Sequence, residues 1–322
     1  MKKYQSKSPI GGVDYPRTLQ EFTDWFATED ACIDYLEQLR WGQGFVCPSC
    51  GGRKGWRMAT ELIRCAACKR KTSVIAGTMF EGTRKPLRLW FQAMWYVTSQ
   101  KFGGSALGLQ HVLGLGSYRT AWTWLHKMRT AMVRPGRDRL TGTVEIDETF
   151  VGGVDTGGKR GRGAARKSVV VIAVEVFEPK GFGRVRMKSV PDASGESLIP
   201  FVSESVEPGS IVHTDSWRGY NGLSKKGYKH KRTNLSDSGD PAHVVMPGVH
   251  RIASLLKRWI LGTHQGAVSD KHLAYYLDEY TFRFNRRTSR ARGLLFYRLM
   301  QQAVEIIPPS YGQLVRKQNP SL

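Results

Sequence analysis

Apolar and polar residues alternate through Thr143-Val144-Glu145-Ile146-Asp147-Glu148-Thr149-Phe150. That period predicts a strand with Val144 and Ile146 on a buried face and Glu145 and Asp147 together on the other. A short apolar run, Ile211-Val212-His213-Thr214-Asp215, predicts a second strand that ends just before the polar turn Ser216-Trp217-Arg218-Gly219-Tyr220. Asp215 therefore falls at a strand's carboxyl end, where open α/β sheets place their ligands. From Val249 to Leu261 the period becomes helical. Ile252, Leu255, Leu256 and Trp259 form one stripe, and His250, Ser254 and Lys257 fall together on another.

Similar patterns predict the neighbouring elements. Thr143 to Val151, Ser168 to Phe177 and Gly183 to Val190 read as three strands, followed by a helix near Glu196 to Val206 and then the Asp215 strand. Tyr228 to Thr233 adds a fifth candidate strand before the His250 helix. A further helix from Asp270 to Arg287 carries Leu273, Tyr276, Leu277 and Tyr280 inward and ends in Arg283, Arg286 and Arg287, a candidate phosphate-binding surface or a solvated helix end. Upstream, Pro86 opens a helix whose bulky Leu89, Trp90, Phe91, Met94, Trp95 and Val97 read as core. Ser105 to Leu113, the turn Gly114-Leu115-Gly116, and Ser117 to Val133 then read as helix, turn, helix, with Ser117 as a cap. If this is a DNA-binding helix-turn-helix, the second helix buries Ala121, Trp122, Leu125 and Met128 and offers Arg119, Thr120, Thr123 and Lys127 to a major groove. The alternative is an ordinary helical hairpin.

Charge narrows the partner. The 322 residues hold 49 Lys plus Arg against 27 Asp plus Glu, a net charge of +22, so a polyanion is the expected partner. A hydrophobic share of 40% and nine tryptophans argue for a folded enzyme over a basic ribosomal or membrane-surface protein. Val169 to Val174 is a run of only six apolar residues, far short of a membrane span, and Met1-Lys2-Lys3-Tyr4-Gln5 does not open an apolar leader. The expected location is the cytoplasm, on the chromosome. Between the first two strands, Gly152 to Lys167 has no Gly-Lys-Ser/Thr ending and reads as a basic clamp for DNA, with Lys159, Arg160 and Arg162 as candidate contacts.

Four of the five cysteines form two Cys-x-x-Cys knuckles, Cys47/Cys50 and Cys65/Cys68, separated by 14 residues. Each knuckle sets two thiolates on one tight turn, and two knuckles complete a tetrahedron, which predicts one structural zinc. Arg53, Lys54, Lys69, Arg70 and Lys71 beside the knuckles favour DNA contact, with an iron site or a purely structural one as alternatives. Cys32 lies on the stripe of an amphipathic helix and is expected to be buried.

Four blocks carry a resemblance: Val-Glu-Ile-Asp-Glu-Thr-Phe-Val-Gly-Gly from Val144, Thr-Asp-Ser-Trp-Arg-Gly-Tyr from Thr214, Ser-Leu-Leu-Lys-Arg-Trp from Ser254, and Tyr-Leu-Asp-Glu-Tyr-Thr-Phe-Arg-Phe-Asn-Arg-Arg from Tyr276. From about Trp25 to Arg292 the chain resembles the zinc-ribbon, ISXO-like insertion-sequence transposases of the DDE superfamily, the insertion-sequence fifteen-ninety-five family. The resemblance implies an α/β fold: an RNase H-like catalytic domain, a mixed sheet flanked by helices with its first and fourth strands side by side, preceded by a zinc ribbon and a helix-turn-helix-like region. The expected bounds are 1–84 for the N-terminal helix and ribbon, 85–134 for the helical DNA-binding region, 140–305 for the catalytic domain and 306–322 for a tail.

It further implies that Asp147 and Asp215 are metal ligands, that His250 stands where most DDE enzymes have glutamate, and that Lys257 matches the basic residue two helical turns on. An imidazole nitrogen suits later divalent ions better than Mg²⁺ and leaves the site one negative charge short, so Mn²⁺ should gain on Mg²⁺. Glu145 is the alternative third ligand. The expected activity is direct phosphoryl transfer with two divalent ions, Mg or Mn. Water frees the element's 3′ end, and that hydroxyl then attacks target DNA. The expected partners are double-stranded terminal-repeat and target DNA and a second copy of the chain, as a dimer or a larger synaptic complex. Trp217 is expected either to hold DNA near the scissile phosphate or to pack. An RNase H-like nuclease without strand transfer, or a DNA-binding regulator with a disabled site, are the alternatives.

Overall fold

The computed structural model describes residues 8–134, 136–152, 167–179, 181–234, 239, 241–266 and 268–316. The helices and strands run α1 Leu19–Trp25, α2 Glu29–Trp41, β1 Gly55–Arg57, β2 Ile63–Cys65, β3 Lys71–Thr72, α3 Leu87–Ser99, α4 Ala106–Leu113 and α5 Tyr118–Ala131. They continue with β4 Thr143–Val151, β5 Ser168–Val176, β6 Phe182–Val190, α6 Gly195–Ser205, β7 Ile211–Asp215, β8 Lys229–Thr233, α7 Ala242–Val245, α8 Pro247–His264, α9 Asp270–Phe284, α10 Arg292–Ala303 and α11 Tyr311–Val315. Two units result, Met1–Arg134 with Ser289–Leu322, and Pro135–Thr288.

The second unit is a five-stranded mixed sheet in the order β6-β5-β4-β7-β8. β4, β5 and β6 pair antiparallel, while β4 with β7 and β7 with β8 pair parallel. The unit's first and fourth strands are therefore neighbours, as an RNase H-like order requires. β5 is apolar on both faces because both are covered. Val170, Ile172 and Val174 pack under α8 and α9, and Val171 and Ala173 pack under α6. The period-two reading of β4 holds as well: Val144 and Ile146 enter the α6 layer, and Glu145 and Asp147 face the α8 side.

The first unit gathers an aromatic core in which Phe22, Phe26, Tyr35, Phe91 and Trp95 all meet Phe296 of α10. That contact corrects the expected bounds, which carried the catalytic domain to residue 305. α10 buries Leu295, Phe296, Leu299 and Met300 in this core, and Met79 donates its amide to the Ala303 carbonyl at 2.8 Å. A Cβ on Gly293 would lie 1.7 Å from the Pro16 carbonyl oxygen, so the close approach of α10 requires glycine there.

The α4/α5 pair forms as read. Ser105 and Ser117 cap the two helices, and Gly114 takes the left-handed turn at φ +61°. The buried tryptophan differs: Trp124 stacks on Trp90 at 3.7 Å, whereas Trp122 is half-buried beside His126 and Tyr311. Cys32 is fully buried, as expected. No helix among the described residues is long and apolar enough to cross a membrane.

Candidate functional site

Asp147 and Asp215 are set by strand register. β4 and β7 pair parallel from Thr143↔Ile211 to Glu145↔His213, and two more residues along both strands bring Asp147 level with Asp215 on the same face. Asp215 closes β7 and accepts the Trp217 amide at 2.9 Å, which shapes the turn after it. The Trp217 indole N–H donates to the Ala193 carbonyl at 2.7 Å and the ring packs on the α6 core, so Trp217 anchors the Asp215 turn. Gly219 sits in the same turn, where a Cβ would meet the Ala193 oxygen at 2.6 Å and the Trp217 indole nitrogen at 2.9 Å. Gly219→Ala is accordingly expected to lower the melting temperature, at a cost of about 1–3 kcal/mol from overpacking. An unchanged melting curve would show that the turn relaxes freely.

His250 reaches the site from the first turn of α8. Its Nε2 lies 3.9 Å from Asp147 Oδ2, too far for a hydrogen bond, is sealed from solvent and has no hydrogen-bond partner among the described residues. Burial, and secondarily the nearby His243, hold the imidazole below its usual pKa, which favours the neutral ring, the form that offers a nitrogen lone pair. A buried neutral nitrogen facing a carboxylate across that gap fits a divalent cation between them. The His250 and Asp147 side chains retain 31% and 21% exposure, which leaves the site open to a large substrate. Lys257 is exposed on α8, two turns beyond His250.

Glu145 is buried at 3% exposure and its Oε2 accepts the Val249 amide at 3.0 Å. Its carboxyl is raised by burial, against the backbone N–H groups of Val249 and Gly248, which favour the charged form. A contact that the sequence reading left unassigned lies on the opposite face of β4. Tyr220, fully buried, donates its hydroxyl to Glu148 Oε2 at 2.7 Å. Burial, and then Glu148, Asp147 and Asp215, push the Tyr220 phenol well above its usual range. The block Thr-Asp-Ser-Trp-Arg-Gly-Tyr contained that tyrosine, but a chain pattern does not reveal a cross-strand hydrogen bond.

The expected DNA contacts fare unevenly. Arg283 is paired with Glu279 at 2.8 Å and is 11% exposed. Arg286 donates to the Phe282 carbonyl and lies over the Phe282 ring. Arg287 donates to the carbonyls of Phe182, Gly183 and Phe284. Arg283 thus answers an acid, Arg286 and Arg287 satisfy carbonyls at the end of α9 and the start of β6, and Arg287 remains exposed. On α5, Lys127 is half-buried, 5.9 Å from the Trp90 ring, and burial lowers its amine. Thr123 bonds the Arg119 carbonyl, and Arg119, though exposed, lies 3.6 Å over Tyr311. Packing thus takes up much of the face expected to enter a groove. Lys159, Arg160 and Arg162 lie outside the described residues.

In the ribbon, β1, β2 and β3 form an antiparallel sheet, and the four cysteine sulfurs lie within 4.8 Å of one another. Cys47 to Cys68 and Cys50 to Cys65 are each 3.7 Å, close to the edge of about 3.8 Å that Zn–S bonds of about 2.3 Å give a tetrahedron. The Cys50 amide, with lesser contributions, holds the Cys47 thiol down to about 6, and the Cys68 amide lowers Cys65. Against the Gly52 amide, Cys50 is pushed up to about 11 by the Cys68 sulfur, burial and the other thiols, so one sulfur of each knuckle favours the thiolate that zinc takes. Arg53, Lys54 and Lys71 are exposed around them.

Two aspartates on adjacent parallel strands of a mixed α/β sheet, behind a four-cysteine ribbon, define the class as an RNase H-like domain of the DDE type. Residues 139–285 match the family model of the ISXO2-like transposase domain, and residues 27–71 match that of the transposase zinc-ribbon domain. The chain is 27% identical over 286 residues to an uncharacterized protein in transposable element ISH50 of Halobacterium salinarum, covering 83% of this chain and 94% of that one. It is 28% identical over 112 residues to an uncharacterized transposase-like protein of Haemophilus influenzae, covering 35% of this chain and 89% of the relative. The chain belongs to the zinc-ribbon, ISXO2-like family of transposases.

Proposed function

We propose that this protein cuts and joins DNA at the ends of its own insertion sequence, with Asp147, Asp215 and His250 holding two divalent ions, Mg or Mn. The observation that carries the reading is the approach of His250 Nε2, without a hydrogen-bond partner among the described residues, to Asp147 on a strand that pairs parallel with the strand of Asp215. The ions, when bound, supply the Lewis acidity that two-metal phosphoryl transfer uses at its attacking and leaving oxygens. Asp147 and Asp215 bring the negative charge from two rigid strands, and Trp217 keeps the Asp215 carboxylate in place through its amide. His250 contributes a neutral nitrogen where a glutamate would contribute a third charge, so Mn²⁺ is favoured over Mg²⁺ relative to a three-carboxylate site. Lys257 offers a cation to the DNA backbone near the scissile phosphate, while the ribbon's Arg53, Lys54 and Lys71 and the basic stretch with Lys159, Arg160 and Arg162 add sequence-independent grip. A second copy of the chain pairs the second element end.

Strand cleavage and joining on duplexes that carry the element's flanking repeats, in Mg²⁺ and in Mn²⁺, test this reading. The expected products are a free 3′ hydroxyl at the element end and a joined strand, formed faster in Mn²⁺. Nicks without joined product would favour a nuclease. Repeat binding with no cleavage in either metal would favour a regulator.

A further inference from the structure

We propose that Glu145 is the positioning residue for His250, acting through the backbone at the start of α8 and not as a third metal ligand. The inference rests on the reading of Asp147, Asp215 and His250 as one metal site.

α8 opens at Pro247 with no side-chain cap of its own. The acceptor comes instead from β4, 104 residues away: Glu145 Oε2 takes the Val249 amide at 3.0 Å, and the neighbouring Gly248 amide also favours the charged carboxylate. A carboxylate at this end matches both the orphan N–H groups and the positive pole of the helix. The approach needs a missing side chain. A Cβ on Gly248 would stand 2.8 Å from Glu145 Oε2 and 3.0 Å from Val174 Cγ1.

Glu145 and Asp147 point to one face of the same strand, about 6.7 Å apart by strand rise. One strand therefore carries both Asp147 and the anchor of the helix that brings His250 to it. With its oxygen engaged by the amide next to His250, Glu145 fixes where the imidazole stands. The same contact explains why this strand bears a buried acid that its apolar neighbours do not require.

Titration of Mn²⁺ alone into the zinc-loaded full chain, followed by calorimetry, tests the assignment, with circular dichroism as the control for folding. His250→Ala should weaken Mn²⁺ binding, which checks the underlying site. Glu145→Ala should weaken it by about 10- to 100-fold, as the loss of an outer-shell partner does. Glu145→Gln keeps an oxygen within reach of both amides and should stay near wild type, whereas Glu145→Asp, one methylene short, should not. Should Glu145→Ala fail to fold, the Gln and Asp variants carry the comparison. Wild-type affinity in Glu145→Ala or Glu145→Asp would overturn the proposal. So would a loss in folded Glu145→Gln as deep as in Glu145→Ala, because the charge itself would then be the ligand. Unchanged affinity in His250→Ala would instead overturn the site reading on which the proposal stands.

Discussion

Asp215→Asn is expected to reduce strand cleavage by at least about a thousandfold, roughly 4 kcal/mol of transition-state stabilisation at 1.36 kcal/mol per tenfold. The substitution suits the question because asparagine keeps the oxygen that accepts the Trp217 amide, so the turn after β7 stays intact while the charge is lost. His250→Ala should lose activity as well, since the only other buried acid on that face of β4, Glu145, is engaged by α8. His250→Glu should shift the preference from Mn²⁺ toward Mg²⁺ by restoring a hard, charged oxygen. Cleavage rates in both metals, with repeat binding as the control, decide the matter. Asp215→Asn retaining a tenth of wild-type activity would remove Asp215 from the site.

Loss of zinc should have an effect of comparable size on the first unit. The ribbon's strands, Gly55–Arg57, Ile63–Cys65 and Lys71–Thr72, are too short to hold a fold, and of their residues only Ile63 and Cys65 are buried. Binding of a structural zinc is worth about 10–16 kcal/mol in comparable small motifs, and here that energy would replace the missing core. Wild-type protein should contain one zinc per chain, and Cys65→Ser should contain none. The variant should be cut by protease within the ribbon and lose affinity for DNA. Full protection of the ribbon in metal-free protein would show that the ribbon stands without its ion.

Much of this was legible along the chain, for identifiable reasons. β4 declared itself by alternation because one layer covers Val144 and Ile146 while the acids need the other face. The zinc site was legible because knuckle spacing is a covalent property: two residues between cysteines bring both sulfurs to one turn whatever surrounds them. The α5 helix was legible as a helix, but its buried tryptophan was not. Trp122 and Trp124 both fit an apolar stripe, and the choice fell to Trp90, which only tertiary packing brings alongside. Arg283, Arg286 and Arg287 look like a phosphate site in one dimension. In three, they answer an acid and the carbonyls of a helix end and a neighbouring strand.

The sequence by itself determined the order of elements, the ribbon and the identity of the acidic and histidine side chains at the candidate site. Those depend on local period and on residue chemistry, which the chain carries without help. The tertiary structure alone decided that the helix at Arg292–Ala303 belongs with the first unit, that the strands of Asp147 and Asp215 pair side by side and parallel, and that Glu145 caps the helix of His250. Each of these is a contact between segments far apart in the chain, chosen by which surfaces can be buried together and by which buried polar groups must then find a partner.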